Sequence, residues 1–430
     1  MERRILIEDA VMRWIRVAGQ SCVFERRISM PAKANVKISD VKHIHICGGK
    51  NLYCAHPRHG GLWNFGNGEL ALIHPHASWP YKEKLPHGFG KGYKSSCVWL
   101  LQRSTDGGES WPEENNVVVY DETLPAEKRV EILFPRNPER ERINLSAPES
   151  IVCFGRTLLG DLRPLDTNVA RPKQGRASTT CFALRSADRG RTWDDKATVI
   201  RDPSEEFDCE ITGYSTIKMP DGSLIMTASL SPHGIAAIYG TDDHGLTWSY
   251  LAQAGHTAAS YGAISYPGLI RLPNGRIQCY MLDINGGTNS ILMSESDDVY
   301  NWTEPRSIVR YGASPWHARL RHGQHFPLSS SFPGPKLYRS PWPVLLSDGR
   351  IVVIFTRRRA PAGIGGILSE DGGKTWSNEF VIRDDASGTD IGYAVAVEVE
   401  DGRVFAAYYY MVEGNTKETP RFIAGSFFSI

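Results

Sequence analysis

The octet SADRGRTW, Ser186 to Trp193, occurs again as STDGGESW from Ser104 to Trp111 and as SEDGGKTW from Ser369 to Trp376. TDDHGLTW, Thr241 to Trp248, is a fourth copy. ESDDVYNW, Glu295 to Trp302, is a degenerate fifth that keeps the Asp and the Trp but not the Gly. The four full copies supply what a tight hairpin turn needs: a hydroxyl and a carboxylate to cap turn amides, a Gly that accepts positive φ, and a Trp to cover the turn. Such a phrase recurring along one chain is the mark of a repeat architecture.

Between the octets lies a second repeat, an apolar run, a turn built on Asp-Gly or Asn-Gly, and another apolar run. It reads NFGNGELALI at Gly68, MPDGSLIMTA at Gly222, LPNGRIQCYM at Gly275, LLSDGRIVVIF at Gly349 and VEVEDGRVFAAYY at Gly402, and IVCFGRTLLGDL around Gly155 completes a set of six. An inner and an outer hairpin per unit make four strands, one propeller blade, so the expected fold is all-β: a six-bladed β-propeller. The last inner hairpin is followed by one strand, RFIAGSFF, and no octet, so that blade needs a strand from the N-terminal region. The expected division is an N-terminal segment, residues 1–39, contributing the ring-closing strand, and a propeller over 40–430.

Composition narrows the function. The formal net charge of +1 offers no global field for nucleic acid or an anionic membrane, and neither is expected as a partner. MERRILIEDAVMRWIRV, at the start, lacks the apolar core of a signal peptide, and no segment reaches the length of a membrane span, which predicts a protein that is cytoplasmic or otherwise soluble. The eight cysteines have no CxxC spacing and read as reduced and packed; no metal and no cofactor are expected. His317, His322 and His325 fit no zinc pattern and read as part of a basic loop with Arg319 and Arg321.

Chain direction places the octets on one face and the starts of the innermost strands and ends of the second strands on the other. That second face collects Arg58, Glu149, Glu210, Tyr214, Tyr266, Arg339, Asp390 and Tyr393 with His74, His76, Asp161, Arg163, Ser229, His233, Asp283, Arg357 to Arg359 and Tyr409. Arginines there can grip a carboxylate or sulfate in bidentate fashion, with His, Tyr and carboxylates to move a proton. Arg58 precedes Gly68 by the interval that separates Arg339 from Gly349, and Tyr266 and Tyr393 stand equally far before Gly275 and Gly402.

With its octets and six hairpins the chain resembles the sialidase superfamily over roughly residues 40–430. The resemblance implies an arginine holding the sugar carboxylate at the offset of Arg58 and Arg339, a tyrosine nucleophile at that of Tyr266 and Tyr393, and Glu210 near the glutamate that activates it. The family's acid/base Asp has no counterpart in IHPHASWPYKEKLPHGFG, so His74 or His76 would replace it. Catalytic candidates are therefore His74, His76, Glu210, Tyr266 and Tyr393; substrate-binding candidates are Arg58, Arg163, Arg339, Arg357 and Asp390. The expected function is an exo-acting, sialidase-like glycoside hydrolase taking a terminal acidic sugar of a glycan. The alternatives are a polysaccharide lyase eliminating next to a uronate, and a noncatalytic carbohydrate-binding propeller.

Overall fold

The structure, a computed structural model, describes residues 34–78, 97–125, 128–133, 140–158, 179–201, 203, 210–231, 234–255, 264–283, 290–309, 338–414 and 419–430, except the side chains of 133, 157, 158, 179, 180 and 210. The first strand, β1 (Ser39–Gly48), starts no blade of its own. It runs antiparallel to the last, β25 (Phe422–Ser429), from Ser39 opposite Ser429 to Gly48 opposite Phe422. The two ends of the described chain thus share one sheet, and the ring cannot open without breaking that ladder.

Six sheets follow around the ring. In the first blade β2 (Leu52–Cys54) and β3 (Gly61–Asn64) both pair with β4 (Leu70–Ser78), backed by β5 (Val98–Ser104) and β6 (Val117–Asp121). The second holds β8 (Ile151–Leu158), β9 (Thr179–Ser186) and β10 (Lys196–Ile200), with β7 (Glu131–Leu133) parallel to β10. The third is β11 (Glu210–Lys218), β12 (Leu224–Ser231), β13 (Ile235–Thr241) and β14 (Ser249–Gly255); the fourth is β15 (Ile264–Arg271), β16 (Ile277–Asp283), β17 (Ile291–Ser296) and β18 (Arg306–Val309). The fifth is β19 (Tyr338–Leu345), β20 (Ile351–Arg357), β21 (Ala362–Ser369) and β22 (Phe380–Ala386). In the sixth, β23 (Gly392–Glu400) and β24 (Arg403–Tyr410) are completed by β25 and β1. The fold is a six-bladed β-propeller, and no described helix is long and apolar enough to cross a membrane.

The octets behave as their residue types require. Ser186 Oγ accepts from the Gly190 N–H at 2.8 Å and donates to Asp188 Oδ1 at 2.8 Å; Asp188 also accepts the Thr192 hydroxyl at 2.6 Å, and Trp193 Nε1 donates to Gly190 O at 3.1 Å. The octet at Ser369 repeats this with 2.8, 2.8, 2.6 and 3.1 Å. The inner turns at Gly222, Gly275 and Gly349 share φ values of +88°, +92° and +89°, a region that glycine enters without steric cost.

One of the six hairpins is not a hairpin. Ile151 to Leu158 is a single strand that pairs with β9 without interruption, Gly155 opposite Phe182, so Gly155 makes no turn. Its bare Cα gives room to a ring: an added Cβ would lie 2.1 Å from Phe182 Cζ. An apolar run containing a Gly reads the same in sequence whether the chain reverses or a neighbouring ring needs the space.

Candidate functional site

Four innermost strands carry an extra residue at an equivalent place. Gly213 faces Ala228 and Thr216 faces Met226; Ser265 faces Leu282 and Gly268 faces Tyr280; Arg339 faces Thr356 and Trp342 faces Ile354; Gly392 faces Tyr409 and Val395 faces Ala407. In each case three steps on one strand match two on its partner, which is a β-bulge. The bulged residues are Tyr214, Tyr266, Ser340 and Tyr393, and the last three take φ of +56°, +49° and +54°. Such backbone costs a non-glycine residue on the order of 1–3 kcal/mol and is held only where surroundings over-determine it.

The result is a wall of tyrosines. Tyr266 and Tyr393 bring their hydroxyls to 2.9 Å, with ring centroids 5.3 Å apart, and Tyr214 lies 6.1 Å from Tyr266. Burial pushes the Tyr393 hydroxyl well above the ordinary phenol range, the neighbouring Tyr266 adds to this, and Arg358 and Arg339 oppose it.

The first blade adds a larger excursion. Cys54 faces His76 and Gly61 faces Ile73, so seven steps on the inner chain match three on β4 and four residues are extra. They form a short 3-10 turn, Pro57–His59, entered through His56 at φ +57° and left through Gly60 and Gly61, where a Cβ on Gly60 would lie 2.0 Å from Ile73 O. The His56 ring lies 4.4 Å from that of Tyr393, tilted against it, and stacks on Tyr409 at 5.2 Å; His59 lies 5.5 Å from both Tyr214 and Tyr393. His59 Nδ1 is buried without a hydrogen-bond partner among the described residues. Burial, then His56, Arg156 and Arg58, hold its pKa well below that of free histidine, leaving a neutral imidazole.

The arginines divide into distinct groups. Arg58 is 1% exposed, and it donates through Nη1 to Pro341 O at 2.6 Å and through Nη2 to Tyr266 O at 2.6 Å and Pro267 O at 2.9 Å. Its guanidinium lies 5.3 Å from the Tyr214 ring centroid and 5.0 Å from that of Trp342. Burial lowers its pKa to about 10, so it stays cationic at neutral pH, committed to carbonyls of the fourth and fifth blades. Arg339, also buried, lies 6.0 Å over the Tyr266 ring with no ion-pair partner among the described residues. Alternation splits the next run: Arg357 and Arg359 pair with Glu379, which also accepts from the Tyr338 hydroxyl, while Arg358 turns to Ile391 O at 3.0 Å and the Tyr409 hydroxyl at 3.5 Å.

Asp390 accepts the Tyr409 hydroxyl at 2.7 Å and binds Arg421 through Nε and Nη2 at 3.2 and 3.1 Å. Burial alone would raise its pKa; the Tyr409 hydrogen bond and the charges of Arg421 and Arg358 outweigh it and hold the carboxylate ionised. The two histidines of β4 are elsewhere. His74 is fully buried between Cys47 of β1, 3.3 Å away, and Gln102 of β5, 2.9 Å away, and His76 lies beside it with ring centroids 6.2 Å apart.

Of the sequence candidates, the structure therefore brings Tyr266, Tyr393, Arg339 and Asp390 to one end of the axis and has Arg58 hold the wall from behind. It puts His74 and His76 at the seam between the first and last blades, and Arg357 against Glu379. Glu210 opens β11, its side chain outside the described residues, as are Arg163, Asp161, His233 and the histidines at 317, 322 and 325. His56, His59 and Arg421 were not singled out in sequence. The signal for the first two was HPRHGG: Pro and two Gly inside a strand pattern mark a break that turns side chains out of the sheet. Arg421 gives no such signal. A groove of about 550 Å³ at the octet end, lined by Asp221, Arg271, Arg276 and Asp298, is remote from this group, and Arg276 there is paired with Asp297.

Comparison with known proteins agrees with the fold. The profile of the BNR repeat-like domain matches residues 167–406. A crystal structure of a protein of unknown function from Dyadobacter fermentans aligns at 19% identity and TM-score 0.63, covering 91% of this chain and 99% of that one. The NanB sialidase of Streptococcus pneumoniae, as a point mutant, aligns at 10% identity and TM-score 0.55 over 90% of this chain and 70% of its own. A Trypanosoma rangeli sialidase in complex with the inhibitor DANA aligns at 12% identity and TM-score 0.52 over 91% of this chain and 60% of its own. No curated protein sequence matches the chain. At these identities the likeness is one of fold.

Proposed function

The chain belongs to the BNR repeat-like domain family, and we propose that it is a glycoside hydrolase that takes a terminal acidic sugar at the axial end where Tyr266 and Tyr393 meet. The observation that carries this reading is the 2.9 Å contact between the two tyrosine hydroxyls beside a buried Arg339 that has no ion-pair partner among the described residues. Arg339 and Arg358 would take the sugar carboxylate. Tyr393 would attack or shield the oxocarbenium-like anomeric centre, its hydroxyl oriented by the hydrogen bond to Tyr266, with Glu210 as the base that accepts its proton. Asp390, ionised by its partners, would position Tyr409 and Arg421 rather than donate a proton.

A second reading has its own support. The leaving oxygen of a hydrolysis needs a proton donor, and neither the ionised Asp390 nor the seam residue His76 is placed to be one. A neutral His59 beside tyrosines and arginines suits a lyase, in which Arg neutralises a uronate carboxylate and the imidazole removes the acidified α-proton.

One experiment separates these readings: sialosides and uronate-containing glycans are incubated with the purified protein while released sugar and ultraviolet absorbance are followed together. Released sugar without absorbance, lost in Tyr393→Phe, is the expected result. A rise in absorbance from a new double bond overturns hydrolysis in favour of elimination. Silence on both, with retained glycan binding, would mean a noncatalytic propeller.

A further inference from the structure

His74 lies away from the tyrosine wall, and what surrounds it is a donor set of its own. Cys47 Sγ, Cys54 Sγ and a ring nitrogen of His74 all lie within 4.8 Å of one another, with Cys47 Sγ 3.3 Å from His74 Nε2. We propose that these three residues bind one Zn²⁺ ion, which fastens the ring-closing strand of the last blade to the inner strands of the first.

The chemistry of the donors selects the ion. Two thiolates and an imidazole form a soft set that zinc favours and magnesium or calcium does not. A tetrahedral zinc with Zn–S of about 2.3 Å and Zn–N of about 2.0 Å separates its S and N ligands by roughly 3.6 Å. The observed 3.3 Å needs only a small spreading to reach that. His74 is also oriented as a ligand would be. Nδ1 lies 3.3 Å from Pro75 O, a carbonyl that can take the ring proton once an ion claims the Nε2 lone pair beside Cys47. Gln102 Oε1, 2.9 Å from Nε2 and the acceptor of its proton while no ion is bound, can then supply the fourth position.

The backbone is shaped to bring these donors together. In β1, His45 faces Ala424 and Cys47 faces Ile423, two steps against one, so a bulge re-aims the chain just before Cys47. Gly48 and Gly49 follow at φ +108° and +153°, and paired hydrogen bonds of 3.1 and 3.2 Å between Gly49 and Leu52 fold β2 back so that Cys54 returns to the same place. Cys54 and His74 are fully buried while Cys47 is partly exposed, which gives an ion a route in.

The test uses the full chain, reduced and stripped with a chelator, then titrated with Co²⁺ as a spectroscopic stand-in for Zn²⁺. One equivalent should bind with thiolate-to-cobalt charge-transfer absorbance, be displaced by Zn²⁺, and raise the midpoint of thermal unfolding as metal is added. The bands should vanish in Cys54→Ser and in His74→Phe. Absence of the bands in the wild type, or their persistence in the Cys47→Ser, Cys54→Ser double variant, overturns the site. Should the variants not fold, alkylation of the native wild type decides. Zn²⁺ should protect Cys47 at least tenfold in rate, read by peptide mass, and equal labelling with and without zinc overturns the proposal. So does a mass showing that Cys47 and Cys54 close into a disulfide that reductant opens without any gain in metal binding.

Discussion

The hydroxyls of Tyr266 and Tyr393 meet at 2.9 Å although the residues belong to the fourth and sixth blades and are 127 positions apart. The blade between them carries Ser340 at the equivalent bulge, with a similar positive φ, where the other two carry tyrosines. Arg58 binds carbonyls at two of the three strained bulges, those of Tyr266 and Ser340, and holds their backbone in place from behind.

If Tyr393 attacks or shields the reacting centre, Tyr393→Phe removes the reacting oxygen and should lower kcat about 100- to 10,000-fold, the span of a positioned proton-transfer or nucleophilic group. Tyr266→Phe removes only one hydrogen bond to it. A loss of about fivefold is expected, from a bond worth about 1 kcal/mol. Steady-state rates on the active glycan check both, and equal losses in the two variants would contradict the assigned roles.

Arg339 and Arg357 make a matched pair for separating binding from stability. Arg339→Gln should raise KM about 10- to 100-fold by removing a charge-assisted contact to the sugar carboxylate, with little change in melting temperature. Arg357→Gln should leave KM unchanged and lower the melting temperature, because Glu379 loses a buried cation. Kinetics and thermal unfolding of both variants provide the readout.

Replacing Arg58 is a structural test. Arg58→Met keeps the stem but abandons the carbonyls of Tyr266, Pro267 and Pro341 in a buried position, and the expected cost is about 3 kcal/mol of unfolding free energy. Denaturant unfolding measures it. A loss of ligand affinity with unchanged stability would instead put Arg58 in the binding site.

Much of this molecule could be read from the chain because octets and Gly turns are local chemistry: Ser186, Asp188, Gly190 and Trp193 satisfy one another within eight residues. The tyrosines were legible through their constant offset from the turns. The partners of the charged groups were not, since they are set by strand alternation and by contacts far along the chain. Arg357 and Arg358 differ by one position yet face Glu379 and Tyr409 respectively, and His74 meets Cys47 only because β1 closes the ring. The excursion carrying His56 and His59 adds four residues where the bulges of the other blades add one, so no common offset points to it.

Gly155 shows the same limit from the side of packing. Gly155→Ala would be mild at a hairpin turn with ordinary φ, but in the middle of β8 its methyl meets the fully buried Phe182 ring. The expected destabilisation is about 1–3 kcal/mol, as for overpacking a core, measured by denaturant unfolding. Gly155→Ala combined with Phe182→Leu should recover part of the loss, which a turn glycine would not do.

His59 makes a prediction in pH. Its pKa is well below 6.5 in the folded chain, through burial and the nearby His56, and returns to about 6.5 on unfolding. Between those values the unfolded chain holds a proton that the native one refuses. Stability is therefore complete above about pH 6.5 and falls as pH drops toward the folded pKa, with a slope of one proton. Asp390, held below the usual carboxylate range, acts in the same direction but only below about pH 4, so the two windows separate. Denaturant unfolding of wild type and His59→Asn between pH 5 and 8 should show the slope shallower by one proton in the variant. Parallel curves would mean that folding leaves the His59 pKa where the unfolded chain has it, so that burial does not hold the imidazole neutral through this range.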